Sequence, residues 1–329
     1  MIAQTKHLGR ESLSYRLKQY WPAYLLLLPV VLWYVIFCYA PMGGLVIAFK
    51  KYSVLKGIWD SPWVGMKNFN RLFGSQAFIQ SIRNTLVFSG LNFVFGFPLP
   101  IVFAILLNEM PGVKYKKVVQ TVSYLPHFIS WSVAGGLVYM LLSPSTGAIA
   151  SVVRAMGGTP QNYIGISRYF RPIVVVSDIW KSLGWSAIIY IAAITSVDEQ
   201  LYEAATIDGS GEYSTLTRVI LPIVKPGIAT VALLTALAYW NEWFLCLLYI
   251  TDRHLYPLQY LLMEMQRNAE FISRNSSVMG AASAEAVRNL PNQTMRMAVV
   301  VFIVLPIACA YPFFQRYVVA GLTIGSVKG

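Results

Sequence analysis

Charge is scarce in this chain. Only 12% of its 329 residues are Asp, Glu, Lys or Arg, about half the share carried by a soluble globular domain. A mean hydropathy of +0.55 and 56% hydrophobic residues exclude a soluble enzyme and identify a membrane protein. Cysteine is scarcer still. Cys38, Cys246 and Cys309 each stand in an apolar run, without the short spacings of metal or redox sites, and are expected to be small buried hydrophobes. The alternation of an outer-membrane barrel is missing, as are paired His and acidic ligands, a nucleophile elbow and any GxxxxGK[ST] phosphate loop. The chain is therefore expected to be no enzyme and to bind no cofactor or metal of its own. A net charge of +12 does not point to nucleic acid, because Lys and Arg are spread among the loops. Lipid headgroups are the expected counter-charge.

What the chain does have is a series of apolar stretches of about 20 residues, the length that crosses a bilayer as helix. The expected fold is all-α and transmembrane, with six spans near 22–46, 85–107, 119–142, 173–196, 227–250 and 297–318, each bounded by charged or turn-forming residues. Residues 1–21 precede a single membrane domain, 22–329. The first apolar run is too long for a signal core and reads as a permanent helix. Counting Lys and Arg does not decide orientation, but the basic start before the first span and the Lys114, Lys116, Lys117 cluster in the shortest loop favour cytoplasmic termini. Within 50–84, SPWVGMKNFNRLF suits an interfacial helix, and 251–296 reads as a long outer loop.

One segment between spans is polar and net acidic. Over 197–226, Asp198, Glu199, Glu203, Asp208 and Glu212 oppose only Arg218 and Lys225, which asks for a cationic or polar partner surface. Glu203-Ala204-Ala205 reads as a short helix whose small residues admit another backbone. Asp208-Gly209 supplies a turn in which Gly takes positive φ without steric penalty. Residues 210–220 read as a second helix, with Tyr213, Leu216 and Ile220 on one face, ended by Leu221-Pro222 before Pro226 opens the next span.

Charges inside spans are costly unless paired or facing water. Asp178 and Lys181 are three residues apart in the fourth span and can pair on one helical face, either as a structural ion pair or along a pathway. Glu242 lies within Tyr239-Trp240-Asn241-Glu242-Trp243-Phe244. Rings with an amide and a carboxylate can hold a sugar by stacking and hydrogen bonding, and equally can form an aromatic belt at the membrane interface.

The segment EAATIDGSGEYSTLTRVILPIVKP (203–226) resembles the EAA loop of membrane subunits of binding-protein-dependent ABC importers. The resemblance implies the six-span type I importer permease fold with cytoplasmic coupling helices. Glu203, Ala204, Ala205, Asp208, Gly209, Ser210, Leu221 and Pro222 then occupy the positions that engage an ATPase. Ser210 stands where the family usually has Ala, and Leu216 near the usual aromatic. Implied partners are ABC ATPase subunits carrying ATP and Mg, a second permease, an extracytoplasmic solute-binding protein and the lipid of a bacterial inner membrane.

YAPMGGLVIAFKKYS (39–53), SPWVGMKNF (61–69) and SYLPHFISWSVAGGL (123–137) resemble permeases for polysaccharides and complex oligosaccharides. WNEWFLCLLYITDRHLYPLQ (240–259) and VAGLTIGSVKG (319–329) look like the maltose-type second permease that normally pairs with them. The chain thus reads as a mosaic, for which a heterodimer or a homodimer is open, and by resemblance Gly325–Gly329 can reach the ATPase interface. The expected function is to form the pathway for an oligosaccharide or polysaccharide fragment, the pathway candidates being Asp178, Lys181, Tyr239, Trp240, Asn241, Glu242 and Trp243. The alternative is an ion-coupled sugar carrier that uses Asp178, Lys181 and Glu242, although no internal repeat of the carrier kind is visible.

Overall fold

The computed structural model describes residues 18–53, 56–195, 200, 205, 207, 209–279 and 293–326. Secondary structure among them is helical apart from two isolated antiparallel bridges, Lys50 with Trp63 and Ser53 with Gly57. The chain divides into two compact units, Met1–Asn70 with Asn292–Val301, and Arg71–Pro291 with Phe302–Gly329.

In the first unit, α1 (Trp21–Phe49) is one apolar rod of 29 residues. No residue of Trp21–Tyr34 is buried, which is the character of a helix that meets lipid or another chain on every side. The rod widens to a π turn over Val35–Tyr39, where Ala40 N–H reaches back to the Val35 carbonyl. That extra residue relieves the clash which Pro41 would otherwise make with the carbonyl four positions earlier. After α1 the chain folds into a tight knot. Lys50 Nζ donates to the Ile58 and Trp59 carbonyls at 2.9 and 3.0 Å, Asn68 Nδ2 to those of Ala48 and Lys50 at 2.7 and 3.1 Å, and Phe49 stacks on Trp63. Of the stretch expected as an interfacial helix only α2 (Lys67–Phe73) is helical. Its first half is a turn, with Gly65 at φ +59°.

The second unit contains α3 (Gln76–Gly96), α4 (Pro98–Glu109), α5 (Val113–Phe128), α6 (Trp131–Leu142), α7 (Ala148–Ala155), α8 (Ser167–Thr195), α9 (Leu221–Trp240), α10 (Phe244–Tyr249), α11 (Leu258–Met279) and most of α12 (Gln293–Ser326). α8 is the axis and packs against α3, α4, α5 and α10. Its amino-terminal half enters a core of Phe88, Phe170, Val174, Leu245, Cys246, Tyr249 and Tyr260; farther along, Ala187 and Tyr190 meet Ala104. A side chain at Gly184 would collide with the Ser123 carbonyl, so glycine sets how closely α5 and α8 approach. Of the cysteines, Cys246 is buried as expected, whereas Cys38 is half-buried and Cys309 is exposed on α12, since a single chain leaves the outer faces of its apolar helices uncovered.

Trp21–Phe49, Gln76–Glu109, Ser167–Thr195 and Gln293–Gln315 are each long and apolar enough to cross a membrane. Two of the other expected spans are interrupted. The 119–142 stretch is two helices, α5 and α6, bent by 102°, because Ile129 and Ser130 are extended and Ser130 Oγ accepts the Val133 N–H to start a new helix. In 227–250, α9 stops at Trp240, and Glu242 Oε1 accepts the Leu245 N–H at 2.9 Å at the start of α10.

Candidate functional site: a coupling bracket and a mid-span polar cluster

The polar segment after α8 folds around Gly209. Glu203, Ala204 and Asp208 lie outside the described residues. Ala205 is buried, Gly209 has φ +72°, and Ser210 N–H donates to the Ala205 carbonyl at 2.9 Å. That six-to-one bond across a left-handed glycine is the Schellman ending of a helical turn, so the conformation expected of Gly209 is present and has a definite job. Just before it, Ile207 is 86% exposed, an apolar side chain at the tip of the bracket. Sequence reasoning missed Ile207 because nothing marks which residue of a short helix faces away from its own protein.

The chain does not stop at Leu221-Pro222 as expected. A helical turn at Glu212–Thr215 runs through a π turn, Leu216–Ile220, straight into α9. Leu221 N–H bonds the Leu216 carbonyl five residues back, which absorbs Pro222 as the π turn in α1 absorbs Pro41. The arm of the bracket after Gly211 and the span are therefore one continuous helical element, with the Leu221 and Pro222 side chains exposed.

At mid-span, Asp178 and Lys181 are 7% and 6% exposed, yet they do not form the expected ion pair. Asp178 accepts from Tyr239 Oη of α9 at 3.0 Å and from Ser182 Oγ at 3.2 Å. Lys181 Nζ donates to the His127 carbonyl at 2.7 Å and lies 5.2 Å above the Trp131 ring. A spacing of three places both on one face of α8, but the broken α5–α6 element offers the ammonium a freed helix-end carbonyl, and hydroxyls reach the carboxylate first. Gly96 makes room for Tyr239, since a Cβ there would fall on its hydroxyl. Beside Asp178 is a cavity of about 110 Å³ whose polar lining is Asp178, Ser182, Ser186, Tyr190, Thr235 and Tyr239, room for a few water molecules.

The remaining candidates do not gather into one cluster. Trp240 Nε1 donates to the Ile303 carbonyl of α12. Asn241 Oδ1 accepts from Gln259 of α11. Glu242 starts α10, and Trp243 meets Phe244 edge-on. The five residues Tyr239 to Trp243 fan out and stitch α9 to α8, α10, α11 and α12, rather than forming a single sugar-sized face. Among the described residues no group of three His, Cys, Asp or Glu side chains could hold a metal ion.

Residues 96–324 match the family described as binding-protein-dependent transport system inner membrane component. This chain belongs to that family. It is 42% identical over 225 residues, 68% of this chain and 70% of the relative, to the polygalacturonan/rhamnogalacturonan transport system permease protein YteP of Bacillus subtilis. Protein LplC of the same organism is 40% identical over 130 residues, 40% of this chain and 42% of the relative. A permease chain of a bacterial ABC transporter that imports the acidic polysaccharide alginate superposes with TM-score 0.71 at 34% identity, over 93% of this chain and 99% of the other. A bacterial alginate ABC transporter in complex with an alginate pentasaccharide-bound periplasmic protein superposes with TM-score 0.72 at 34% identity, over 93% of this chain and 96% of the other. The fold is thus that of an ABC importer permease, and the chain is a multi-pass membrane transport component, not an enzyme. The ion-coupled carrier reading is set aside on these likenesses.

Proposed function

We propose that this chain forms half of the transmembrane pathway of an ATP-driven importer for an oligosaccharide or polysaccharide fragment. It sits in a bacterial inner membrane with six spans and cytoplasmic termini. A second permease completes the pathway, ATP and Mg are bound by partner ATPase subunits, and an extracytoplasmic solute-binding protein delivers the sugar. The likeness to both YteP and LplC supports a sister permease as the partner.

The observation that carries the proposal is the bracket. A left-handed Gly209 fixes its turn, Ile207 is presented at its tip, and from Glu212 onward a helix runs without interruption into α9. Movement imposed there by an ATPase would pass along α9 to Tyr239 and Asp178. Gly209→Asp tests the reading. The variant should still insert in the membrane, yet fail to co-purify with its partner ABC ATPase and fail to drive uptake. Normal uptake by Gly209→Asp would overturn the docking assignment.

A further inference from the structure

The end of α1 fastens the knot that follows it. The Phe49 carbonyl accepts the Val64 and Gly65 N–H groups at 2.9 and 3.1 Å, and the Phe49 ring lies 5.6 Å from that of Trp63 and nearly parallel to it. Lys50, the next residue, forms an antiparallel bridge with Trp63 and places its ammonium on the Ile58 and Trp59 carbonyls. Farther round, Gly57 turns at φ +67°. Buried Ser61 closes that turn by donating to the Gly57 carbonyl at 2.6 Å and accepting the Ser53 N–H at 3.1 Å. Trp59 and Trp63 are thus tied to the last residue of an apolar span and the first residue after it.

The knot does not cover these two rings. The Trp59 side chain is 87% exposed and has no ring or hydrogen-bond partner among the described residues. Trp63 stays exposed despite its stacking, as does Met66. Lys51 and Lys56 are exposed as well, and Asp60 is the one acidic residue between 50 and 66.

We propose that this knot is a lipid-docking surface, in which Trp59 and Trp63 enter the polar–apolar boundary of the bilayer and Lys51 and Lys56 face lipid phosphate. Height decides the occupant. The 29 residues of α1 make a rod of about 43 Å at the helical rise, which matches the about 40–45 Å of a bilayer with its headgroups. Phe49 therefore reaches the headgroup layer, and its bonds to 63–65 hold the tryptophans at that level. An indole joins an apolar body to one N–H donor, the character that collects at this boundary. Lysines beside it meet the negative charge of anionic lipid. The bonds from Lys50 and within the Ser61 turn satisfy backbone groups that are short of water there. The contact expected of an interfacial helix is thereby made by a turn, and it depends neither on the bracket nor on the transported sugar.

The test uses the assembled importer in phosphatidylcholine nanodiscs with a nitroxide at Asp60→Cys, an exposed position beside Trp59. Cys38→Ala and Cys309→Ala remove the accessible thiols, and Cys246 is buried. Collisions of the nitroxide with oxygen, which concentrates in the bilayer, are compared with collisions with a neutral, water-soluble nickel chelate. The label should be oxygen-dominated. Adding Trp59→Gln should shift it to nickel-dominated with no change in melting temperature, because that side chain has no partner in the fold. Phosphatidylglycerol should deepen the label, and Lys51→Gln with Lys56→Gln should remove that response. A nickel-dominated label in the importer that keeps Trp59 would overturn the proposal, as would an oxygen-dominated label that Trp59→Gln leaves in place. A response to phosphatidylglycerol that survives loss of both lysines would overturn the phosphate contact. A label protected from nickel only after the solute-binding protein is added would assign the knot to protein docking and overturn the proposal too.

Discussion

Asp178 and Tyr239, 61 residues apart in sequence, are joined by one hydrogen bond of 3.0 Å that ties α8 to α9. Because α9 continues from the second arm of the bracket, this bond links the proposed docking segment to a cavity around which hydroxyls converge. Polar contacts between helices within a bilayer are worth about 0.6–2 kcal/mol each. A bond of that strength can hold a helix yet break during a transport cycle.

Tyr239→Phe removes the donor and leaves Asp178 Oδ2 buried without its partner, a cost of about 1–3 kcal/mol. The melting temperature of the purified permease should fall. In the double variant with Asp178→Leu most of the loss should return, because neither polar partner remains. Equal melting of the single variant and the unaltered protein would show that the bond carries no energy.

Lys181 predicts a different outcome. Its ammonium satisfies the His127 carbonyl at the end of α5, next to the 102° bend. Lys181→Met leaves that carbonyl buried without a donor, and about 1–3 kcal/mol should again be lost. Lys181→Arg keeps a charged donor and should recover part of it. Thermal melting of both variants measures the difference. If Met and Arg behaved alike, the carbonyl would not be the reason for the lysine.

The turn at Gly209 was legible in sequence because glycine is the residue type that a left-handed turn selects. The helical class was legible from the length of the apolar runs. Other features depend on choices that composition does not encode. Asp178 and Lys181 share a helical face, but the partner each selects was decided by Tyr239 and His127, which arrive from other elements, and by Ser182 one turn along α8. The bend at Ile129 and Ser130 sits in an apolar stretch where one serine cap is the whole signal. Pro222 reads as a helix end unless the preceding turn widens to π, and nothing local in the sequence announces that widening. The joining of α3 and α8 to the 252–258 loop was invisible because nothing in the sequence marks the distant partners that Asn84, Thr85 and Ser167 take.

Ile207 separates docking from folding. At 86% exposure it contributes little to the core, so Ile207→Asp should change stability by no more than about 0.5 kcal/mol, as surface substitutions do. Adding a charge to an apolar contact that becomes buried in a complex should nonetheless abolish co-purification of the ATPase. Both are read from one preparation, by melting and by the subunit ratio on a gel. Full ATPase recovery with Ile207→Asp would mean that another part of the bracket makes the contact.

Asp252 gives the contact between its loop and α8 an acid limit. The backbone N–H of His254 and the hydroxyl of Ser167 hold its carboxyl below the usual Asp value. A carboxylate depressed on folding contributes stability that is fully present above its unfolded pKa, about 3.9, and is lost as pH falls through the lower folded value. The contribution should therefore be constant from neutral pH down to about pH 5 and decline as pH falls below about 4. Ser167→Ala removes one of the two donors and should move the loss to higher pH, while Asp252→Asn should remove this part of the acid dependence. Melting temperatures of the three proteins across an acid series check the sign. If Asp252→Asn kept the same acid-sensitive step as the unaltered protein, another carboxylate would be its origin, and the link between Ser167 and Asp252 would hold the loop by geometry alone.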